Sequence, residues 1–209
     1  ADSNRLLRQA RAEFRDCKDV ELITHSAYKP IPAELLVSGW DMTFIDEAHH
    51  EAMFSIQQLL EHVKDVPVFG FTATPDRGDG LLLKFERYIF SLSKEEAIRR
   101  KFISTPNINS IIDTSGSNKL DICCQIVQKY NEEMNNTIVY FKTNKECEGF
   151  YQFCLDNNFS AYWLKEDKEM DEVLERYSMG EFKFLINCKK LGEGIDIKNC
   201  TDVLLARNF

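Results

Sequence analysis

The 209-residue sequence predicts an α/β protein made of two halves, each containing a parallel sheet. Short runs of β-branched and aromatic residues alternate with helical segments through most of the chain, which is the pattern of parallel sheets covered by helices on both faces. The alternation breaks between Thr105 and Asn118, where proline, asparagine, serine, threonine and glycine dominate. We therefore assign residues 1–104 and 119–209 to separate halves and predict a crossing between them at 105–118.

The composition is that of a globular protein without membrane spans. Apolar residues make up 44% and charged residues 29% of the chain, and no apolar run reaches the ~20 residues that a spanning helix needs. The net charge of −8 makes indiscriminate binding to polyanions unfavourable, but a local basic groove remains compatible with it. The seven cysteines form no C-x-x-C pair, so we expect reduced core thiols of an intracellular protein, cytoplasmic or nuclear, rather than disulfides or zinc ligands.

The elements of the first half are assigned from periodicity and flanking residues. Apolar residues three or four positions apart indicate helices, runs rich in Val, Ile, Thr and Phe indicate strands, and proline favours a first helical turn. The predicted elements are helix Leu6–Phe14, strand Val20–His25, helix Pro32–Val37, strand Thr43–Ile45, a helical stripe of Phe54, Leu59, Leu60 and Val63, and an apolar strand over Val68–Pro75 that ends in two hydroxyls and a proline. We expect the apolar stripe to face the core.

The second half follows the same alternation. In the crossing before it, Ile108, Ile111 and Ile112 suggest a short extended strand. The predicted elements are helix Asp121–Tyr130, strand Thr137–Lys142, helix Asn144–Leu155, strand Ser160–Leu164, helix Lys168–Tyr177 and strands Phe182–Asn187 and Thr201–Ala206. Strands separated by helices predict parallel pairing.

Two adjacent carboxylates, Asp46 and Glu47, follow the strand Thr43–Ile45 directly. Open α/β sheets bind ligands beyond the carboxyl ends of their strands, so we expect both carboxylates at the ligand edge. One carboxylate there can orient Mg²⁺ on the phosphates of a nucleotide, and the other can polarise an attacking water. The alternative is that Asp46 merely caps the next helix.

Three spaced motifs carry a resemblance to a known family. Asp-Glu-Ala-His at 46–49 and Thr-Ala-Thr-Pro at 72–75, each after an apolar strand, resemble motifs II and III of the superfamily 2 helicases, and residues 191–197 resemble motif V. Residues 74–80 and 88–98 are similar to segments of type III restriction-enzyme motor subunits and excision-repair helicases. The resemblance implies two RecA-like halves, the C-terminal part of a first domain within 1–104 and a truncated second domain within 119–209.

The resemblance implies ATP and Mg²⁺ as cofactors. Asp46 would then hold Mg²⁺ through water, and Glu47 would orient or deprotonate the attacking water. His49 would link the nucleotide site to Thr72 and Thr74, which would relay the nucleotide state to the nucleic acid.

In motif V, Gly194 would allow close backbone approach to the nucleotide and Asp196 would contact its ribose. The alternative is that the Gly-Glu-Gly sequence at 192–194 is an ordinary turn.

The resemblance also implies nucleic acid as a partner, with DNA favoured over RNA. For His25, ordinary packing is an equal alternative to this role. Cys188 departs from the family, since many members have a threonine there that touches the backbone of the nucleic acid, and a thiol is a weak donor. The implied nucleic-acid contacts are Gln9, Thr24, His25, Lys142 and Thr143, and the charges of Lys189 and Lys190 can compensate for the threonine that Cys188 replaces.

The chain contains no G-x-x-x-x-G-K sequence followed by serine or threonine, and no G-R-x-x-R sequence. These are the phosphate loop of motif I and the arginine finger of motif VI. We therefore expect a fragment of a longer helicase or translocase that is inactive by itself, with a nuclease or repair partner outside this segment. Two alternatives stay open: a duplex translocase subunit of a restriction endonuclease, and an inactive motor that only binds nucleic acid or protein.

Overall fold

The computed structural model describes residues 3–37, 39–50, 53–75, 85–87, 89–111, 116–192, 195 and 197–206. The chain divides into two compact units, Ser3–Ile108 and a second that begins at Asn109. The division falls within the predicted crossing at 105–118, whereas the limits of the two helicase domains stay predictions. No strand forms at Ile108 or Ile111, which are both exposed, and Ile112 lies outside the described residues.

The first unit contains a two-stranded parallel sheet and short helices. Thr43 pairs with Val68 and Ile45 with Gly70, so both strands end at the same edge. A small core of Ile45, Ala48 and Ile56 lies under this sheet. The elements are helices α1 (Ser3–Glu13), α2 (Ala33–Val37), α3 (Phe54–His62) and α4 (Lys94–Arg99), and strands β1 (Thr43–Ile45) and β2 (Val68–Gly70).

Two predictions for the first unit are wrong. Residues 20–25 form no strand. Strands β1 and β2 pair with each other, and no strand in the described part of the chain forms backbone hydrogen bonds with this segment. Phe54 lies outside the core with 83% of its surface exposed, whereas Ile56 and Val63 are buried. Ile56, Leu60 and Val63 are spaced four and three residues apart and define the inward helix face, and Phe54 lies off that face.

One face of the β1–β2 sheet carries aromatic residues that remain half-exposed. The Phe44 ring lies 5.6 Å from that of Phe69 and 5.9 Å from that of Phe71. Phe44 is 53% and Phe71 55% exposed. The expected helical cover on both faces is therefore missing for this sheet within the described residues.

The second unit is a four-stranded parallel sheet in the order β4-β5-β3-β6, with helices on both faces. Cys123 and Val127 from α5 and Phe150 from α6 pack on one face, and Val173 and Tyr177 from α7 pack on the other. The elements are helices α5 (Lys119–Tyr130), α6 (Asn144–Asp156) and α7 (Met170–Ser178), and strands β3 (Thr137–Tyr140), β4 (Ala161–Leu164), β5 (Phe184–Asn187) and β6 (Asp202–Leu205). The α/β prediction with parallel sheets is confirmed.

The cysteines are all free, and three of them, Cys123, Cys147 and Cys154, are buried in the second unit. Cys17 is exposed, so the expectation that the thiols lie in the core is wrong for it. None of the helices in the described ranges has both the length and the apolar character that a membrane crossing requires.

Candidate functional site

At the carboxyl edge of β1 and β2, His49 lies at the centre of a polar cluster. Its Nδ1 is 2.9 Å from Thr72 Oγ1, 3.3 Å from Glu47 Oε2 and 3.5 Å from Thr74 Oγ1. Thr72 Oγ1 also accepts a hydrogen bond from the Thr74 amide at 3.1 Å. We call Glu47, His49, Thr72 and Thr74 the His49 cluster. The structure thus brings together residues from the two sequence motifs that end neighbouring strands.

The backbone positions this cluster by joining the two strand ends beyond the sheet. Phe71 N donates to Ile45 O at 2.8 Å, and Ala48 N donates to Phe71 O at 2.8 Å. Glu47, between them, has a φ of +50°, and a 3₁₀ turn over Ala48–His50 follows it. Ala48 is almost completely buried and a Cβ added to Gly70 would lie 2.9 Å from its Cβ, so this crossing needs two small residues.

Asp46 is exposed beside this cluster. Its Oδ1 accepts a hydrogen bond from the Glu47 amide at 3.0 Å. Met53 precedes α3, and no side chain caps that helix, so the alternative role of Asp46 as a helix cap is wrong. Among the described residues no three His, Cys, Asp or Glu side chains form a group that could hold a metal ion. Mg²⁺ commonly binds through one or two carboxylates together with water and substrate phosphates, and a single exposed Asp46 fits that mode.

The remaining candidates of the first unit lie in different surroundings. Gln9 is exposed on α1. Thr24 Oγ1 is buried and has no hydrogen-bond partner among the described residues, so its hydroxyl is covered rather than presented to solvent. His25 is half-buried, with Nε2 3.3 Å from Lys29 O.

In the second unit, three lysines follow the neighbouring strands β3 and β5. We call Lys142, Lys189 and Lys190 the lysine edge. Lys142 and Lys189 are exposed, and Lys189 has a φ of +59°. Lys190 Nζ is paired with the Asp167 carboxylate at 3.1 Å. Cys188 Sγ donates to Lys142 O at 3.2 Å, which connects the chain segments after the two strands.

Thr143, beside the lysine edge, is engaged in a capping box. Its hydroxyl donates to Glu146 Oε2 at 2.7 Å and accepts from the Glu146 amide at 3.3 Å. A phosphate contact of this hydroxyl would therefore compete with the cap of α6. Gly194 and Asp196, the predicted nucleotide contacts of motif V, lie outside the described residues.

Asn187, which the sequence analysis did not select, is a fully buried polar residue next to the lysine edge. The sequence does contain a signal for Asn187: its amide follows directly after the apolar run Phe184–Ile186. A polar side chain buried in such a position needs specific hydrogen-bond partners.

Two family models match separate parts of the chain. The model described as "Type III restriction enzyme, res subunit" matches residues 22–77, and "Helicase conserved C-terminal domain" matches residues 118–207. The first match includes the His49 cluster, and the second includes the lysine edge.

Individual proteins also resemble the chain. "Putative ATP-dependent helicase IRC3" of Saccharomyces cerevisiae is 23% identical over 80% of this chain and 29% of its own length. The "51.5 kDa protein" of a Lactococcus phage is 29% identical over 78% of this chain and 41% of its own length. The chain thus spans well under half of either curated relative. A structure of a Saccharomyces cerevisiae Dbp5 variant bound to RNA and ADP BeF3 matches 98% of this chain and 60% of its own, with a TM-score of 0.51 and 18% identity, and supports the fold.

Proposed function

Because the chain belongs to the superfamily 2 helicases, we propose that it carries part of an ATP-driven motor that moves along nucleic acid. The observation that supports this best is the His49 cluster. One imidazole there contacts the Glu47 carboxylate after β1 and the Thr72 hydroxyl after β2. In such a motor the Glu47 carboxylate would take part in ATP hydrolysis, and the Thr72 hydroxyl would transmit the state of the nucleotide to the nucleic-acid site.

Glu47 is the proposed general base or orienting group for the attacking water. The second position after a strand places its carboxylate at the ligand edge of the sheet, and His49 restrains that carboxylate from one side. Asp46 would hold Mg²⁺ through water, and the ion would neutralise charge on the phosphates of ATP. In motif V, Gly194 and Asp196 are the proposed contacts with the nucleotide.

His49 is proposed to couple the two activities. Its Nδ1 lies within hydrogen-bond distance of both Glu47 and Thr72, so a movement of the Glu47 carboxylate changes which of them the ring can bond. Thr72 and Thr74 would pass that change to the segment after β2.

DNA is the proposed nucleic acid along which the motor moves, because the first unit matches the model of a restriction-enzyme subunit. Lys142, Lys189 and Lys190 are the proposed phosphate contacts of the second unit, since ammonium groups on exposed turns bind phosphates without regard to sequence. In the first unit, Gln9, Thr24 and His25 are the corresponding candidates. For Thr24 and Thr143 this role requires that the present surroundings of the hydroxyl change.

The test of this proposal is the substitution Glu47→Gln in the protein that carries this chain. The amide keeps size and hydrogen bonding but removes the base, so we expect Mg·ATP binding to persist while hydrolysis falls by ~10²–10⁴-fold. ATP binding and steady-state hydrolysis are measured on the same preparations. Glu61→Gln changes an exposed glutamate of α3 in the same way and should leave hydrolysis unchanged. Hydrolysis by the Glu47 variant at the wild-type rate would exclude Asp46 and Glu47 as the catalytic pair.

A further inference from the structure

Asn187 is the last residue of β5, and its side chain is completely buried. The three residues before it in the strand, Phe184–Ile186, are apolar and also fully buried. An amide in such surroundings is unfavourable unless its hydrogen-bonding groups find partners.

The Asn187 amide does find partners, and they lie in two different segments. Its Nδ2 donates to Val139 O in the middle of β3 at 3.3 Å. Its Oδ1 accepts from the Leu191 amide at 3.4 Å, across the turn that follows β5. One side chain therefore connects the neighbouring strand to the far end of the turn at 188–191.

This turn needs such support because of its backbone. Lys189, in the middle of this turn, has a φ of +59°, which residues other than glycine rarely adopt. The turn is held on its other side by the Cys188 thiol, which donates to Lys142 O, and by Leu191, which is buried. Within the described residues, the side chain of Lys189 makes no hydrogen bond that would stabilise this backbone conformation.

We propose that Asn187 is a positioning residue that fixes Lys189 and Lys190 on the lysine edge for binding to phosphates of a nucleic-acid strand. This inference rests on the proposed function, because it takes those lysines as phosphate contacts. Asn187 touches no phosphate itself. It holds the turn in one conformation before binding, so that less conformational freedom of the turn is lost when the lysines bind phosphates. Asparagine suits this role because its uncharged amide has both an NH₂ group that donates and a carbonyl oxygen that accepts.

The test is binding of a fluorescent single-stranded oligodeoxythymidine at several salt concentrations. The logarithm of the binding constant falls linearly with the logarithm of the salt concentration. For single strands, each lysine that no longer contacts a phosphate reduces the magnitude of this salt slope by about 0.7. We expect Asn187→Leu, which removes both hydrogen bonds, to weaken binding and to lower the slope by about 0.7–1.4. Asn187→Ala serves as a second variant of smaller size. In both, the Leu191 amide should exchange with solvent faster than in the wild type.

Thr137→Val is the matched control. Thr137 is also fully buried, and its hydroxyl donates to Asn135 O at 3.1 Å, but it lies at the opposite end of the sheet. This change removes a buried hydrogen bond from the same unit and should leave the affinity and the salt slope unchanged. A comparable loss of binding in Thr137→Val would show that general destabilisation explains the Asn187 result, and would overturn the proposal.

A double-mutant cycle separates this inference from the proposed function. Lys189→Ala with Lys190→Ala tests the function, because binding must weaken if these lysines contact phosphate. Added to that background, Asn187→Leu should have no further effect on binding, since it acts through the lysines. An equal effect of Asn187→Leu in both backgrounds would overturn the positioning role alone. Unchanged binding after the lysine substitutions would overturn the assignment of the lysine edge, and the inference with it.

Discussion

Glu47 and Lys189 occupy the same backbone position in the two units. Each is the second residue after a strand whose last residue is buried, and their φ angles are +50° and +59°. The left-handed conformation costs an ordinary L-residue roughly 1–2 kcal/mol. Strained backbone of this kind is found where a side chain must be directed at a ligand, so the geometry agrees with the roles proposed for both residues.

The strain at Glu47 predicts opposite effects of one substitution on stability and activity. Glu47→Gly removes the left-handed penalty of roughly 1–2 kcal/mol and adds unfolded-state entropy worth only ~0.4–1 kcal/mol. We expect the variant to gain up to about 1.6 kcal/mol in free energy of unfolding while losing ATP hydrolysis. Gln58→Gly, inside α3, should instead lose about 1 kcal/mol. Urea unfolding of both variants checks this, and a loss of stability in Glu47→Gly would contradict the account of strain.

Buried thiols make the second unit sensitive to alkaline pH. Burial raises the pKa of Cys123, Cys147 and Cys154 from 9.0 to about 12. The folded state keeps these thiols protonated while the unfolded chain releases their protons, so their contribution to stability is complete below pH 9 and is lost as the pH rises towards 12. We expect the urea midpoint of this unit to fall above about pH 9.

Alkylation with iodoacetamide gives a second measurement of the same property. In the native protein at about pH 8, exposed Cys17 should react first, and the three buried thiols should react only after unfolding. Modification of native Cys147 as fast as Cys17 would contradict the burial on which the pKa argument rests.

At the scale of elements, periodicity located most helices and strands, but it could not identify strand partners. The run Val20–His25 has the composition of a strand and forms none, because pairing depends on which segments the fold places beside it. Phe54 fits an apolar stripe in sequence and Val63 of that stripe is buried as predicted, but helix α3 buries Ile56 and leaves Phe54 exposed. The cap of α6 by Thr143 was not predicted, although Thr-x-x-Glu at 143–146 is a capping-box sequence that indicates it.

The same limit applies to the candidate site. The ligand edge of the sheet was predicted for Glu47 from its position after a strand, and the resemblance to motifs II and III implied that His49, Thr72 and Thr74 belong to the same site. The distances that make His49 the central residue depend on the crossing of the backbone at Ala48 and Gly70. Asn187 was not predicted, since its importance depends on two hydrogen bonds, one to Leu191 across a turn and one to Val139 in a strand 48 residues away in the sequence.

The pair of Lys190 and Asp167 joins the lysine edge to the turn before α7. Because the Asp167 carboxylate competes with a phosphate for the Lys190 ammonium group, we expect Asp167→Asn to increase the affinity for single-stranded DNA. Glu148→Gln makes the same change of net charge at an exposed position of α6 and should have a smaller effect. Equal effects of both substitutions would show that only net charge matters.

At the scale of the whole molecule, the two units carry different parts of the proposed motor. The first holds the His49 cluster on a small sheet of two strands, and the second holds the lysine edge on a four-stranded sheet with a larger core. Over the segment that contains its candidate site, the first unit matches the model of a restriction-enzyme subunit and the second matches that of a helicase C-terminal domain. In the proposed motor, we expect the coupling between hydrolysis and movement to involve His49, Thr72 and Thr74.

A paired measurement of ATP hydrolysis and strand displacement tests that coupling most directly. In Thr72→Ala combined with Thr74→Ala, Glu47 and Asp46 are intact, so we expect hydrolysis to stay within a few-fold of wild type while strand displacement is lost. Thr72→Ser with Thr74→Ser keeps both hydroxyls near His49 Nδ1 and should retain both activities. Loss of hydrolysis and displacement by the same factor in the alanine variant, or loss of neither, would contradict a coupling role for the His49 cluster.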